Sequence, residues 1–485
     1  MSNQKKIWTP RLYQKQMRDF NISAGRANDW AGPGSGKTAT GLATYSYLKF
    51  FGEVDKLLVV STKRIASMVW RNERDKWENF EHLSIAEAIG TPDQRLAALR
   101  ANADITTINY ENLPWLAEVM GDEWRWNMVI PDESTKLKSL RIDIRKSEKT
   151  GKLSKRKSGG SSRAYALAAT SHQKVRYWFN MTGTPAPNGL VDLWGQHWYI
   201  DGGATLGRSF TAFKERWFNA IKSSDNAFEV LYKPTPWADA EIKELMRPRT
   251  IALNARDYMQ LPDTVYNKIP VRLNAKSREL YKQMEKEFFI ELVGHEIEAF
   301  NAGSKSMKLR QLASGAVYTK PDPGNDTAPW LPVHDEKIDA LRDLVSELNG
   351  EPLLVTYQFR SDLARLLEAF PNGRYFDDNP KTLAEFRAGR IPQLFIHPAS
   401  GGHGIDGMQD VCNHIAFFSQ TWNLEEFEQV IERIGNVRQV SAGYFRNTFV
   451  HLLIAERTIE EEMVERTETK ASVQDSLKLA MIRRG

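Results

Sequence analysis

The stretch Ala31-Gly-Pro-Gly-Ser-Gly-Lys37-Thr38 constrains this chain more than any other. It has the spacing (A/G)-x-x-x-x-G-K-T, in which glycines let backbone N–H groups close around the phosphates of a nucleotide. Lys37 supplies a positive charge to those phosphates and Thr38 a hydroxyl to Mg²⁺. Gly32, Gly34, Ser35, Gly36, Lys37 and Thr38 are therefore the candidate phosphate-binding residues. Residues 39–50 form a short, largely apolar run suited to a helix whose positive end faces the nucleotide. The loop by itself does not say what the nucleotide drives.

The residues around it predict the sheet that carries it. Leu57-Leu-Val-Val-Ser61 reads as a buried parallel strand, followed by a helical pattern through Trp70 and Trp77. Asp104–Tyr110 reads as another strand and turn, and strands alternating with helices after a phosphate loop predict a parallel α/β sheet. Trp126-Asn-Met-Val-Ile-Pro131 is an apolar strand ending in Asp132-Glu133-Ser134. Strand C-terminal ends converge on the ligand crevice of such a sheet. Asp132 is thus predicted in the Mg²⁺ shell, and Glu133 as the group that orients or deprotonates the attacking water. Upstream, Gln14 in Arg11-Leu-Tyr-Gln14 offers a donor and an acceptor at once, as adenine recognition requires. A strand at Tyr177–Met181 runs into a hydroxyl-rich turn, Thr182-Gly-Thr184-Pro-Ala-Pro-Asn188, with a helical start at Leu193-Trp194.

Composition sets outer bounds. The 485 residues suffice for two or three domains, and 41% hydrophobic with 26% charged residues is ordinary for a globular protein. No apolar run approaches the roughly 20 residues that cross a bilayer, so no membrane partner is expected. The N-terminus lacks the apolar core of a secretion signal, and the single cysteine, Cys412, forms no internal disulfide. A net charge of +5 favours a polyanionic partner. That charge is concentrated between residues 141 and 163, which hold nine Lys and Arg, including Lys155, Arg156 and Lys157, against Asp143 and Glu148. This stretch shows no apolar period and is predicted to be a loop contacting a nucleic-acid backbone through counterion release.

In order, separation and spelling, Ala31–Thr38, Asp132-Glu133-Ser134 and Thr182–Asn188 with Leu193-Trp194 resemble motifs I, II and III of superfamily-two helicases of the Swi/Snf branch. These are DNA translocases that include chromatin remodellers. The second half continues the resemblance. Leu353–Phe359 resembles motif IV, and Gly401-Gly402-His403-Gly404-Ile-Asp406-Gly-Met-Gln409 resembles motif V, which touches both DNA and the nucleotide site. Gln429-Val-Ile-Glu-Arg433 resembles motif VI, whose arginines stabilise charge on the transferring phosphate. The second arginine of that motif is here Asn436, which cannot supply the charge, while Arg438 lies two residues beyond.

The resemblance implies two RecA-like parallel-sheet lobes in tandem with helical insertions, an α/β fold binding Mg·ATP. Residues 1–200 form the first lobe, 201–335 an insertion, linker and helical region, and 336–485 the second lobe with a closing helix. Within the middle region, Phe210, Phe213, Trp217 and Phe218 suggest an aromatic cluster in an insertion over 200–255, and Asn274–Val317 a long helical stretch. Implied site residues are Lys37, Asp132, Glu133, Gln429 and Arg433 for catalysis and Thr38 and Asp132 for the metal. Gln14, the phosphate loop, Gly404 and Asp406 are assigned to ATP, and Thr184, Lys155, Arg156, Lys157, Gly402 and His403 to DNA. His403 has no second ligand at metal spacing. The function implied is an ATP-dependent DNA translocase or helicase, a monomeric motor on duplex DNA, slowed if Arg438 does not replace the missing arginine. The alternatives are a nucleotide-gated DNA-binding protein with little turnover and an RNA helicase. So little chain lies outside the motor that it looks like those of bacteriophages and bacteria, working in the cytoplasm of an infected or bacterial cell.

Overall fold

The computed structural model describes residues 6–32, 34–146, 153–157, 159–222, 230–292, 295–299, 301–320, 328–377, 379–401 and 406–481. They divide into two compact units, one of residues 1–259 with 470–485 and one of residues 260–469. Residues 201–259 thus group with the first unit and 260–335 with the second.

The strands of the first unit are β1 (Arg26–Ala31), β2 (Leu57–Ser61), β3 (Ile85–Glu87), β4 (Ile105–Asn109), β5 (Met128–Pro131), β6 (Ile142–Lys146), β7 (Leu153–Lys157), β8 (Tyr177–Thr182), β9 (Phe218–Lys222), β10 (Val230–Pro234) and β11 (Thr250–Leu253). Seven of them make one sheet in the order β11-β1-β8-β5-β2-β4-β3, with every pairing parallel. The apolar runs are continuous because both faces are covered. In β2, Leu58 and Val60 enter a core with Trp126, Trp178 and Trp194, while Leu57 and Val59 enter one with Leu42, Trp70 and Phe179. The order places β1, β8 and β5 side by side, so the segments leaving their C-terminal ends are neighbours.

Two expectations about this unit fail. The basic stretch is not a loop: β6 and β7 pair antiparallel from Ile142↔Lys157 to Lys146↔Leu153. An apolar period of two, Ile142 and Ile144, is hidden among charged neighbours, and Ile142 is buried in the core. Nor is 200–255 wholly an insertion, since β11 returns to the sheet beside β1. The aromatic cluster is present, however. The helix Phe210–Trp217 buries Phe213 and Trp217 against Phe218, with ring centroids of Phe213 5.3 Å from each.

The second unit holds β12 (Thr264–Val271), β13 (Phe289–Leu292), β14 (His295–Glu298), β15 (Ala316–Tyr318), β16 (Trp330–Pro332), β17 (Leu353–Thr356), β18 (Arg374–Tyr375), β19 (Gln393–Ile396), β20 (His414–Phe417) and β21 (Thr448–Ala455). Its six-stranded sheet, β12-β21-β20-β17-β19-β18, is again parallel throughout. The helical stretch expected over 274–317 is interrupted. Helices Ala275–Glu287 and Ala302–Ser314 flank the β13–β14 hairpin, because Phe288 adopts a left-handed φ of 60° that ends the first helix. The closing helix runs from Ile459 to Met481; Val464 joins the core of the second unit, whereas Leu477 and Met481 join that of the first.

Candidate nucleotide site

The phosphate loop leaves β1 and enters the helix Lys37–Phe50. Gly34 and Gly36 have φ of 77° and 80°, the left-handed region where a side chain is strained. At Gly36 space is also exhausted, since a Cβ there would lie 2.2 Å from the Gln14 amide nitrogen. That amide donates to the Ser35 carbonyl at 3.1 Å, while the Gln14 oxygen accepts from the Arg11 backbone N–H at 2.9 Å. Gln14 therefore braces the loop from behind. The Ser35 hydroxyl closes the loop on itself by donating to the Gly32 carbonyl at 2.7 Å. The Lys37 ammonium lies across the loop, donating to the carbonyls of Ala31 at 2.6 Å and Gly32 at 3.1 Å. Thr38 occupies the first turn of the helix.

Asp132 and Glu133 follow β5 and are both buried. Burial pushes the Asp132 carboxyl upward, while the Lys37 charge and the Trp70 indole pull it back toward the ionised form. The indole N–H of Trp70, itself fully buried, donates to Asp132 Oδ2 at 3.1 Å. Glu133 takes φ 62° and ψ 57°, a conformation that costs a non-glycine residue about 1–2 kcal/mol. The turn is held by the Tyr110 hydroxyl, 3.1 Å from the carbonyl oxygens of both Asp132 and Glu133. A carboxylate beside Lys37, with the Thr38 hydroxyl on the adjacent helix turn, is a hard oxygen donor set that fits a divalent cation.

The turn after β8 is the third component. Thr184 is buried, its backbone N–H donating to the Thr182 hydroxyl at 3.1 Å. Nearby, the helix Leu193–Asp201 presents Gln196 to both turns. Its carboxamide accepts from the Ser134 hydroxyl at 2.9 Å and donates to the Pro185 carbonyl at 2.7 Å. The strands Leu153–Lys157 and Ile142–Lys146 lie elsewhere in this unit, with the exposed Lys157 ammonium 4.6 Å from the Tyr165 ring centroid. The backbone of Lys155 and Arg156 belongs to β7, and their side chains lie outside the described residues.

In the second unit, Gly402, His403 and Gly404 lie outside the described residues. Asp406 is exposed and accepts from Arg438 Nη1 at 2.8 Å and from the Gln409 amide at 3.0 Å. Gln429 and Arg433 are both buried, and the Gln429 amide reaches Glu425 at 3.3 Å. Asn436 is wholly engaged within its own unit. Its amide donates to the Pro262 carbonyl at 2.8 Å and the Thr264 hydroxyl at 3.0 Å, and its oxygen accepts from the Thr448 hydroxyl at 2.6 Å.

Residues 31–317 match the SNF2-related domain, more than half of the chain and a span that includes the phosphate loop, Asp132-Glu133 and the Thr182–Asn188 turn. The chain belongs to the SNF2-related family. Putative protein p41 of Acyrthosiphon pisum secondary endosymbiont phage 1 is 42% identical over 481 residues, 99% of this chain and 100% of that protein. The putative ATP-dependent helicase/translocase YwqA of Bacillus subtilis is 24% identical over 501 residues, 97% of this chain and 49% of that protein. Among solved structures, the Sulfolobus solfataricus SWI2/SNF2 ATPase core in complex with dsDNA matches with a TM-score of 0.43 at 19% identity, covering 98% of this chain and 95% of that one. This SNF2-related chain carries its phosphate loop and its paired carboxylates on one parallel sheet. Among the described residues no helix is long and apolar enough to cross a membrane.

Three site-building residues escaped the sequence reading. Trp70 registered only as one apolar position of a helix, although a tryptophan so placed needs an acceptor for its indole N–H. Asp29, inside the otherwise buried β1, is fully buried and pushed up to about 7, and accepts from the Asn21 amide at 2.7 Å. A carboxyl in the middle of a buried strand was a readable signal. Gln196 had none, because its partners come from two distant segments.

Proposed function

We propose that this SNF2-family protein is a DNA-dependent ATPase that uses hydrolysis to move along duplex DNA, acting as a monomer. The observation that carries the reading is the placement of Lys37 beyond β1 and of Asp132 and Glu133 beyond β5, the two strands that flank β8, with the Lys37 charge acting on Asp132, in an SNF2-related domain. The naming of the Bacillus relative as a putative helicase/translocase supports it, as does the basic β6–β7 hairpin.

Each residue takes the role that its chemistry supports. The loop N–H groups, freed by the left-handed glycines, receive phosphate oxygens, and the Lys37 ammonium exchanges its two carbonyl partners for stronger anionic ones. Thr38 and Asp132 would hold Mg²⁺, which when bound would neutralise charge on the phosphates. Trp70 fixes the Asp132 carboxylate, and Glu133, held by Tyr110, accepts the proton of the attacking water. Arg433 stabilises charge on the transferring phosphate, and Gln429 belongs to the same catalytic group. Gly404 and Asp406 are assigned to the nucleotide, and Thr184, Gly402, His403, Lys155, Arg156 and Lys157 to DNA. The phage relative supports the cytoplasm of an infected bacterial cell as the place of action.

A second reading, nucleotide-gated DNA binding with little turnover, rests on Asn436, whose hydrogen bonds leave it no part in phosphate chemistry. ATP consumption by the purified chain, alone and with duplex DNA, single-stranded DNA or RNA, tests both. The largest increase is expected with duplex DNA. Nucleotide and DNA binding without turnover would establish the second reading, and a larger response to RNA would make the protein an RNA motor.

A further inference from the structure

One polar side chain outside the motifs joins two of them. Gln196 is 3% exposed and lies in the first turns of the helix Leu193–Asp201. Its oxygen accepts from the hydroxyl of Ser134, the residue next to Glu133. Its nitrogen donates to the carbonyl of Pro185 at 2.7 Å, in the turn that holds Thr184, and to the carbonyl of Asp192 at 3.0 Å. The carboxamide thus uses one acceptor and both donors, each on a different segment. The backbone beneath it is fixed as well. The Gln196 carbonyl accepts from Asn180 at 2.9 Å, and the Asn180 amide also reaches Asn28 of β1 at 2.9 Å.

At Gly195 a Cβ would lie 2.5 Å from the Lys138 carbonyl oxygen and 3.1 Å from that of Leu137, so the helix backbone rests directly on the segment that follows Ser134. Polar groups this deeply buried cannot exchange their partners for water, and moving one partner displaces the carboxamide or leaves a bond unmade. Gln196 is thus the hydrogen-bonded link between the 182–188 turn and the residue adjoining Glu133.

We propose that Gln196 is a positioning residue that makes the placement of Glu133 depend on the turn at 182–188, and so couples DNA contact to hydrolysis. This rests on the DNA-dependent ATPase reading. Gln196→Leu keeps the volume and removes all three bonds, whereas Ser134→Ala removes only the link toward Glu133 and leaves Pro185 and Asp192 satisfied. Steady-state ATP turnover with saturating duplex DNA is measured for the intact chain, each variant and the double variant, with near-ultraviolet circular dichroism reporting tertiary structure at the assay temperature. Expected is a fall in DNA-stimulated kcat of about tenfold for Gln196→Leu and about fivefold for Ser134→Ala, with the KM for ATP changed by less than about twofold. The double variant is expected to be no slower than Gln196→Leu alone, since both remove one connection. Should Gln196→Leu fail to fold, Ser134→Ala decides alone by the same split between kcat and KM. Unchanged kcat in the folded variants, a rise in KM alone, or effects that multiply in the double variant would overturn the coupling role while the ATPase reading stands. A parent chain with no DNA-dependent turnover would overturn both.

Discussion

The two units share one architecture, and each buries carboxyls that desolvation raises, Asp362 being the one in the second, but the second unit also buries histidines that desolvation lowers. Each is a parallel sheet covered on both faces, read in sequence as runs such as Leu57–Ser61 and Leu353–Thr356. The buried ionisable groups of the first unit include two carboxyls, Asp29 within β1 and Asp132 just past β5. Asp29 is pushed up to about 7 and Asp132 is also raised, each chiefly by burial. In the second unit they include histidines. His451, 3.1 Å from His414, is pushed down to about 4, and burial lowers His334 and His414 too. Desolvation acts in both cases against the charged form, so it moves acids up and bases down. One fold physics therefore gives two opposite responses to pH. The candidate site residues differ as well: left-handed glycines and carboxylates in one unit, an arginine on a carboxylate, Arg438 on Asp406, in the other.

The sharpest way to break this comparison is at the phosphate loop. Lys37→Ala is expected to abolish ATP turnover while the chain stays folded, because the residue is half-buried and its bonds are to its own loop. Normal hydrolysis by that variant would place the active centre elsewhere. Glu133→Gln should bind ATP yet slow its single-turnover hydrolysis by about 10²–10⁴, since an amide takes no proton from water. A rate within a few-fold of the parent would reassign that role.

In the second unit the expected loss is of stability. Asn436→Arg would break the bonds to Pro262, Thr264 and Thr448 and bury a charge, costing on the order of 3 kcal/mol in urea unfolding. The arginine that the resemblance to motif VI implies at this position is thus expected to harm the protein. Arg438→Ala, by contrast, is expected to leave folding intact and lower turnover; faster hydrolysis in a stable Asn436→Arg protein would reverse that assignment.

The opposite pH responses make the comparison quantitative. For His451, the unfolded chain takes up its proton near 6.5 and the folded one near 4, so stability from this group is present above about 6.5 and lost as pH falls toward 4. For Asp29, the unfolded chain releases its proton near 3.8 and the folded one near 7, so stability is present below about 3.8 and lost as pH rises to 7. Hydrogen exchange at pH 5 and pH 7.5 should therefore show the second unit less protected, relative to the first, at the lower pH. Asp29→Asn should remove the first unit's share of this trend and stabilise it above pH 7 by roughly 2 kcal/mol. Parallel changes in both units would refute the contrast.

The smallest effect expected is at the basic hairpin. Neutralising Lys155, Arg156 and Lys157 together should weaken DNA binding without sequence preference and flatten its salt dependence by about 0.9 in slope for each phosphate no longer neutralised. An unchanged slope would make the hairpin a solvated surface.

By itself the sequence determined the nucleotide loop, the carboxylates after a buried strand, the parallel α/β class and the family. Each of these is local, since a glycine spelling or an apolar run fixes its conformation with near neighbours and needs no distant partner. The resemblance to motif VI also implied an arginine where the chain has Asn436. Only the tertiary structure showed what that asparagine holds together, because its partners at Pro262, Thr264 and Thr448 come from two other strands and a preceding turn. The same holds for Ile142 under a string of charges, for Gln14 turned into the loop it was expected to complement, and for Trp70 on Asp132. Hydrogen bonds between segments far apart in the chain carry no periodicity and no spelling, so only the folded chain, by burying both partners together, decides them.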